Sequence, residues 1–155
     1  MDNLFMARAI RLAIENIGSG HGGPFGAVIV KDGSIIAEGA NQVTSINDPT
    51  AHAEVLAIRA ACAKLGVFEL HDCEIYTSCE PCPMCLGAIY WARLARIYFA
   101  SAAADASRVG FDDSLIYREI ATPHEKRAIP MIQMMREESL AAFRAWEEKP
   151  NKIAY

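Results

Sequence analysis

Thr77-Ser78-Cys79-Glu80-Pro81-Cys82-Pro83-Met84-Cys85, taken together with His52-Ala53-Glu54 upstream, is the stretch from which the rest of the chain is read. Cys73–Ser78 alternates around Ile75 and Tyr76 as a short strand, and Pro81 or Pro83 then opens a helix, since proline suits a first helical turn. Cys82 and Cys85 stand at i and i+3, on one face of that helix, where both sulfurs can reach a single ion. A helix N-terminus carries partial positive charge and free N–H groups, which favours the thiolate that metal binding requires. His52 offers a neutral imidazole from a second helix start. Two sulfurs and one nitrogen leave a tetrahedral zinc one open position for water, whose pKa the metal lowers to about 7. Glu54 stands close enough to take a proton without itself binding the metal. The expected site is therefore a catalytic zinc held by His52, Cys82 and Cys85, with Glu54 as acid/base.

Other readings of the same residues stay open at this point. A lone His-x-Glu at a helix start can be a cap interaction, and a lone Cys-x-x-Cys can be structural zinc or a redox pair. Cys79 could join as a fourth ligand and close the site, or the run Cys79–Cys82–Cys85 could suggest an iron–sulfur cluster. A cluster usually takes four cysteines, and Cys62 and Cys73 sit in patterns that look like core. His21, His71 and His124 have no ligand-like neighbours and read as surface or loop residues.

Working outward, residues 3–17 read as a helix that ends at Gly18-Ser19-Gly20, with Leu4, Phe5, Ala9, Leu12 and Ile17 at helical spacing. Phe25–Lys31 and Ser34–Ala40 flank Asp32-Gly33, a strong hairpin signal, and both strands are apolar enough to lie inside a sheet covered on two faces. Asp48-Pro49 is predicted to cap a helix running to about Leu65, before Gly66. The helix opened at Pro81 or Pro83 should run to about Arg93. Ile97–Ala100 reads as a fourth strand, Ala102–Gly110 as loosely specified, Asp113–Ile120 as a short helix and Ile129–Met134 as a fifth strand. Arg136–Lys149 is an amphipathic helix, Pro150 stops it, and Asn151–Tyr155 is a tail. Trp91 and Trp146 are predicted to pack in the core or an interface. The pattern is α/β: a three-layer α/β/α sandwich around a mixed sheet of about five strands.

The 155 residues make one domain of ordinary size, and 52% hydrophobic with 22% charged residues describes a compact fold. No apolar run approaches the roughly 18 residues that span a bilayer, and the N-terminus lacks a basic flank and a cleavage-type site, so neither membrane nor secretory signal is predicted. Five cysteines, three of them between Cys79 and Cys85, fit metal ligation in a reducing compartment, hence the cytoplasm. A net charge of −4 without a Lys/Arg cluster counts against nucleic acid as substrate.

Asn41, His52-Ala53-Glu54 and Pro81-Cys82-Pro83-Met84-Cys85-Leu86-Gly87-Ala88 resemble the cytidine deaminase-like superfamily, for which His-x-Glu with Pro-Cys-x-x-Cys is the signature. Gly22-Gly23-Pro24-Phe25-Gly26-Ala27, Asn47–Glu54, Gly110-Phe111-Asp112-Asp113-Ser114 and the terminal Tyr155 further resemble the small bacterial guanine deaminases, over nearly the whole chain. That resemblance implies one zinc per chain and a purine base as substrate, with guanine and water giving xanthine and ammonia. Water activated at zinc would attack C2, and Glu54 would carry its proton to the ring nitrogen beside C2. By the same resemblance Asp113 helps protonate the departing amine; its local reading is a helix N-cap beside Ser114. Asn41 would hydrogen-bond the base, Phe25 would wall it, and Ala53 and Tyr155 would complete the base-binding set. Locally, Phe25 reads equally as core and Tyr155 as a frayed terminus. The resemblance also implies a homodimer in which the C-terminal helix and tail, about 136–155, are exchanged between subunits. A tRNA adenosine deaminase, another small nucleobase aminohydrolase and a non-catalytic zinc-stabilised binding module are the competing functions.

Overall fold

In the computed structural model, residues 3–155 are described, and they divide into two compact units, the first ending at Asp113 and the second comprising Ser114–Tyr155. The first unit is built on four strands: β1 (Gly26–Lys31), β2 (Ser34–Ala40), β3 (Cys73–Cys79) and β4 (Arg96–Ser101). They lie side by side in the order β2-β1-β3-β4, with β1 antiparallel to both neighbours and β3 parallel to β4. Three helices cover this mixed sheet: α1 (Leu4–Ser19) on one face, α2 (Ala53–Leu65) and α3 (Pro83–Trp91) on the other.

The alternation along β1 explains the layering. Ala27 and Ile29 pack with Ala53, Ala57 and Ala61 of α2 and Ile89 of α3, whereas Val28 and Val30 pack with Ala9 of α1. Burial on both faces is why β1 reads as a continuous apolar run. On the α1 side Tyr76 stacks on Tyr98, with ring centroids 4.4 Å apart, and Phe5 leans on it. The hairpin turns at Asp32-Gly33, both with positive φ (49° and 70°), as the twist of a two-residue turn requires. β2 departs from its neighbour. It is an edge strand, only partly buried, and its register shifts opposite Ile29/Val30.

Helix ends follow local chemistry. Asn3 caps α1 by accepting from the Phe5 and Met6 amides, and Gly20 (φ 71°) ends the helix in the left-handed region. α2 begins at Ala53 with His52 as N-cap, so Asp48-Pro49 does not open it. Asp48 instead closes a local turn, Oδ1 accepting from both the amide and the hydroxyl of Thr50. The residues read as loosely specified contain a short α4 (Ala103–Ser107), against whose start Glu80 accepts from the Ala103 amide at 2.9 Å.

The second unit holds α5 (Ser114–Ala121), a 3-10 turn at His124–Lys126 and α6 (Arg136–Glu148). Arg127 ties its middle together by donating to the carbonyls of Thr122 and Ile120 near the end of α5, where a cation suits the helix dipole. The fifth strand predicted at Ile129–Met134 does not form, and the sheet has four strands among the described residues. Pro130 lacks an N–H, and no neighbouring strand pairs with the segment, whose Ile129 and Ile132 are both 80% exposed. Neither tryptophan lies in the core of this chain. Trp91 is 63% exposed and Trp146 41%. No helix among the described residues is long and apolar enough to cross a membrane.

One close approach sets where α2 begins. A Cβ placed on Gly39 of β2 would stand 2.1 Å from the Ala53 carbonyl oxygen and 2.7 Å from the Ala57 nitrogen, both backbone atoms of α2. Gly39→Ala should therefore destabilise the protein by about 2–3 kcal/mol, as overpacking against backbone does, read as a lowered midpoint in urea. Gly87→Ala is the matched control: nothing stands within 4 Å of its Cβ position in α3, and the midpoint should hold or rise.

Candidate active site

The starts of α2 and α3 face each other across the end of β3. His52 is the N-cap of α2 in extended conformation, and its ring makes no capping bond because it turns towards the cysteines. Its Nδ1 lies 3.6 Å from Cys82 Sγ and 3.4 Å from Cys85 Sγ. Cys82 is the N-cap of α3 with Pro83 in the first turn, and its sulfur accepts from the Cys85 amide at 3.5 Å. Cys82 thus serves as a helix cap and a donor at once. The three ligand atoms all lie within 4.8 Å of one another.

These distances fit zinc. Tetrahedral zinc with Zn–S near 2.3 Å and Zn–N near 2.0–2.1 Å places its donor atoms about 3.6–3.8 Å apart. The donor set is one nitrogen and two sulfurs, so a fourth position stays open. Among themselves the two thiols divide their proton unequally. The hydrogen bond from Cys85, with His52 adding to it, pulls Cys82 down to about 4, while that same bond and burial push Cys85 upward. The hydrogen bond to Cys82 also raises His52. Zinc binding takes both sulfurs as thiolates and the imidazole neutral, so loading the site releases protons.

Glu54, in the first turn of α2, is 6% exposed. Its Oε1 accepts from the Thr77 hydroxyl at 3.3 Å and its Oε2 from Cys85 Sγ at 3.5 Å. Burial raises its pKa above the ordinary carboxylate range, so it can hold a proton where an exposed glutamate would have lost it. A three-donor metal cluster with a buried carboxylate touching one donor is an arrangement for activating water and moving its proton.

The other predicted residues stand as follows. Asn41 is buried; its Oδ1 accepts from the Gly23 and Val43 amides, and its own amide donates to the Phe25 carbonyl. Phe25 meets Phe111 edge-on, with centroids 4.9 Å apart, and is a partly buried residue packed against the core. Ala53 is fully buried at the first position of α2. Asp113 is half-buried, and its pKa is raised by burial first, then by the negative charges of Cys82, Asp112 and Glu80. Tyr155 lies in the second unit and is exposed there.

Cys79 stays outside the donor cluster. Its sulfur donates to the Ala102 carbonyl at 3.8 Å, and burial raises its pKa, which leaves a three-ligand site. All five cysteines are free. His21, His71 and His124 are exposed, with His71 paired to Glu69.

Two residues went unassigned in the sequence. Asn16 of α1 is buried and donates through Nδ2 to the carbonyls of both Gly23 and Asn41, at 2.8 Å each, so one side chain fastens the two segments that carry Phe25 and Asn41. Its polarity on the inner face of an amphipathic helix was the available signal. Thr77 touches Glu54, and its signal was strand parity: it stands two residues beyond Ile75, on the same face.

Residues 1–101 match the family model described as the cytidine and deoxycytidylate deaminase zinc-binding region. Guanine deaminase of Bacillus subtilis (strain 168) is 60% identical over 151 residues, 97% of each chain. An X-ray structure of guanine deaminase from Bacillus subtilis superposes with a TM-score of 0.97 at 58% identity, covering 100% of this chain and 99% of that one. A tRNA-specific adenosine deaminase from Aquifex aeolicus (strain VF5) is 46% identical over 78 residues, 50% of this chain and 52% of its own. With a matched family region, a fold of that class and a donor cluster that fits zinc, the chain belongs to the cytidine and deoxycytidylate deaminase zinc-binding family.

Proposed function

We propose that this protein is a zinc-dependent guanine deaminase, hydrolysing guanine to xanthine and ammonia in the cytoplasm. The observation that carries the substrate is the extent of the likeness: the zinc-binding region ends at residue 101, yet the agreement with a guanine deaminase continues over the whole chain. The partial match to a tRNA adenosine deaminase covers half the chain and accounts for the shared zinc chemistry alone.

His52, Cys82 and Cys85 hold the metal. Zinc so held supplies a Lewis acid that makes hydroxide available at neutral pH. Glu54 would accept the proton that water gives up and pass it to the ring nitrogen beside C2 as the water oxygen bonds to C2, and that addition makes C2 tetrahedral. Loss of ammonia requires a further proton on a poor leaving group. Asp113, whose raised pKa lets it retain a proton longer than an ordinary aspartate, supplies or relays it. Asn41, its carbonyl oxygen already engaged by Gly23 and Val43, presents its amide N–H groups to the base. Phe25, backed by Phe111, walls the ring, and the backbone of Ala53 lines the helix start beside His52.

The same reading includes a homodimer that exchanges the C-terminal segment, with Tyr155 closing the partner's site. What supports it is exposure: α5 and α6 bury no residue in the single chain, and Phe143 on the apolar side of α6 is 65% exposed. Apolar surface of this kind is normally covered by a partner.

Purified protein should release ammonia and form xanthine from guanine, with zinc equimolar to protein; no release from guanine overturns the reading. Glu54→Gln should keep its zinc and lose about 10²–10⁴-fold in kcat, and a near-wild-type rate would remove Glu54 from proton transfer. Asp113→Asn should slow guanine turnover at unchanged zinc content. Deleting residues 153–155 should impair turnover with zinc retained. Co-expressing that deletion with Glu54→Gln tests the exchange. If the tail acts in trans, one site of each mixed dimer has both an intact Glu54 and an intact tail, and activity returns. A tail acting in cis restores none.

A further inference from the structure

The acid/base carboxylate must be held as well as buried. Glutamate has three side-chain torsions, and proton relay requires its oxygens within about 0.5 Å of productive positions. The two oxygens of Glu54 meet different partners: Oε1 the Thr77 hydroxyl at 3.3 Å, Oε2 the Cys85 sulfur at 3.5 Å. These partners are not equivalent once the site is used as proposed. As a thiolate ligand Cys85 has no proton to donate, so its contact with Oε2 no longer orients the carboxylate. The Thr77 contact is unaffected by ligation.

Thr77 is suited to that task by its place in the fold. It is 1% exposed in β3, paired to Ala27 on one side and Phe99 on the other, so its backbone is fixed by both ladders. Its β-branch restricts χ1 and so the direction of the hydroxyl. A hydroxyl buried so completely needs a partner, and Glu54 supplies it. The 3.3 Å separation is longer than the usual ~2.7–2.8 Å of an O–H···O bond, so the bond is a weak one.

We propose that Thr77 is a positioning residue for the deamination: its hydroxyl holds Oε1 of Glu54 so that Oε2 is the oxygen presented to the reacting atoms. This rests on the proposed function in assigning Glu54 its work, but the orientation of Glu54 is measurable without turnover.

The test compares Thr77→Val, which keeps the shape and removes the hydroxyl, with Thr77→Ser, which keeps the hydroxyl, in zinc-loaded enzyme. Thr77→Val should retain zinc and a guanine KM within about threefold of wild type while kcat falls about 10–100-fold, the usual cost of losing a supporting contact to a reacting group. Thr77→Ser should recover kcat to within a few-fold. In a Glu54→Gln background Thr77→Val should cost nothing more. Crystal structures of both variants give the second readout, with Glu54 in one rotamer for Thr77→Ser and displaced or multiply placed for Thr77→Val. Should Thr77→Val not accumulate as folded protein, Thr77→Cys, a weaker donor of similar size, takes its place. An undisturbed Glu54 in Thr77→Val, a kcat within twofold of wild type, or equal losses in the valine and serine variants overturns the proposal. Failure of the wild type on guanine overturns the substrate reading instead, and the Glu54 rotamer then decides the role of Thr77 alone.

Discussion

Everything near the site depends on bringing two helix N-termini to one point. Two thiols, an imidazole and a carboxylate occupy a largely buried volume, with His52 only 3.4–3.6 Å from either sulfur. Two thiolates and a carboxylate at such range repel strongly in a low-dielectric interior. The two helix starts, each with roughly half a positive charge, offset part of this, and a divalent cation with nitrogen and sulfur donors offsets the rest. The fold supplies the approach by small residues. Gly39 lets the first turn of α2 settle against β2, and alanines at 53, 57 and 61 bring the helix down on the sheet. Larger residues there would lift His52 and Glu54 together, away from Cys82 and Cys85.

Rigidity is distributed unevenly around this point. The groups assigned to the metal and to water sit at or near the ends of regular elements: His52 and Glu54 on α2, Cys82 and Cys85 on α3, Thr77 on the interior strand β3. The groups assigned to the base sit on loops and strand ends, and the fold compensates by tying those loops internally. Asn16 bridges the carbonyls of Gly23 and Asn41, and Asn41 returns bonds to Gly23, Val43 and Phe25. The result is a second preorganised patch whose amide and aromatic face are set before any ligand arrives, the condition under which binding loses least to ordering.

Much of this was legible in the residues. The hairpin bounds, the four central strands and the donor cluster follow from signals that act locally: Asp32-Gly33 for the turn, period-two alternation in β3, proline beside Cys82. The misreadings share one cause. Asp48-Pro49 has the chemistry of a helix start, but Thr50 satisfies Asp48 in a turn and the helix waits until Ala53, where packing on Gly39 selects the entry. Ile129–Met134 has strand-like composition, but a strand exists only beside another, and periodicity carries no information about neighbours. Thr77 and Asn16 were missed for the same reason: a polar residue at an inward position acquires meaning only from the group opposite it, tens of residues away in the chain.

The division between rigid chemistry and added selectivity also bears on evolution within the fold. The zinc-binding region spans residues 1–101, and all the residues that the proposed reading assigns to activating and deprotonating water lie within it. Glu54 and its Thr77 contact belong to that common part, so they can speed attack on any amidine carbon that reaches the metal. They cannot choose one. In the proposed reading choice falls to Tyr155, outside that span, acting with Asn41 and Phe25, while Asp113 serves the departing amine. In the same reading a second copy covers the apolar surface that the C-terminal segment exposes in one chain. If that copy brings Tyr155 to the site, base recognition and assembly are coupled: the monomer would keep its metal, its acid/base carboxylate, Asn41 and Phe25, and would lack the share of recognition that Tyr155 supplies.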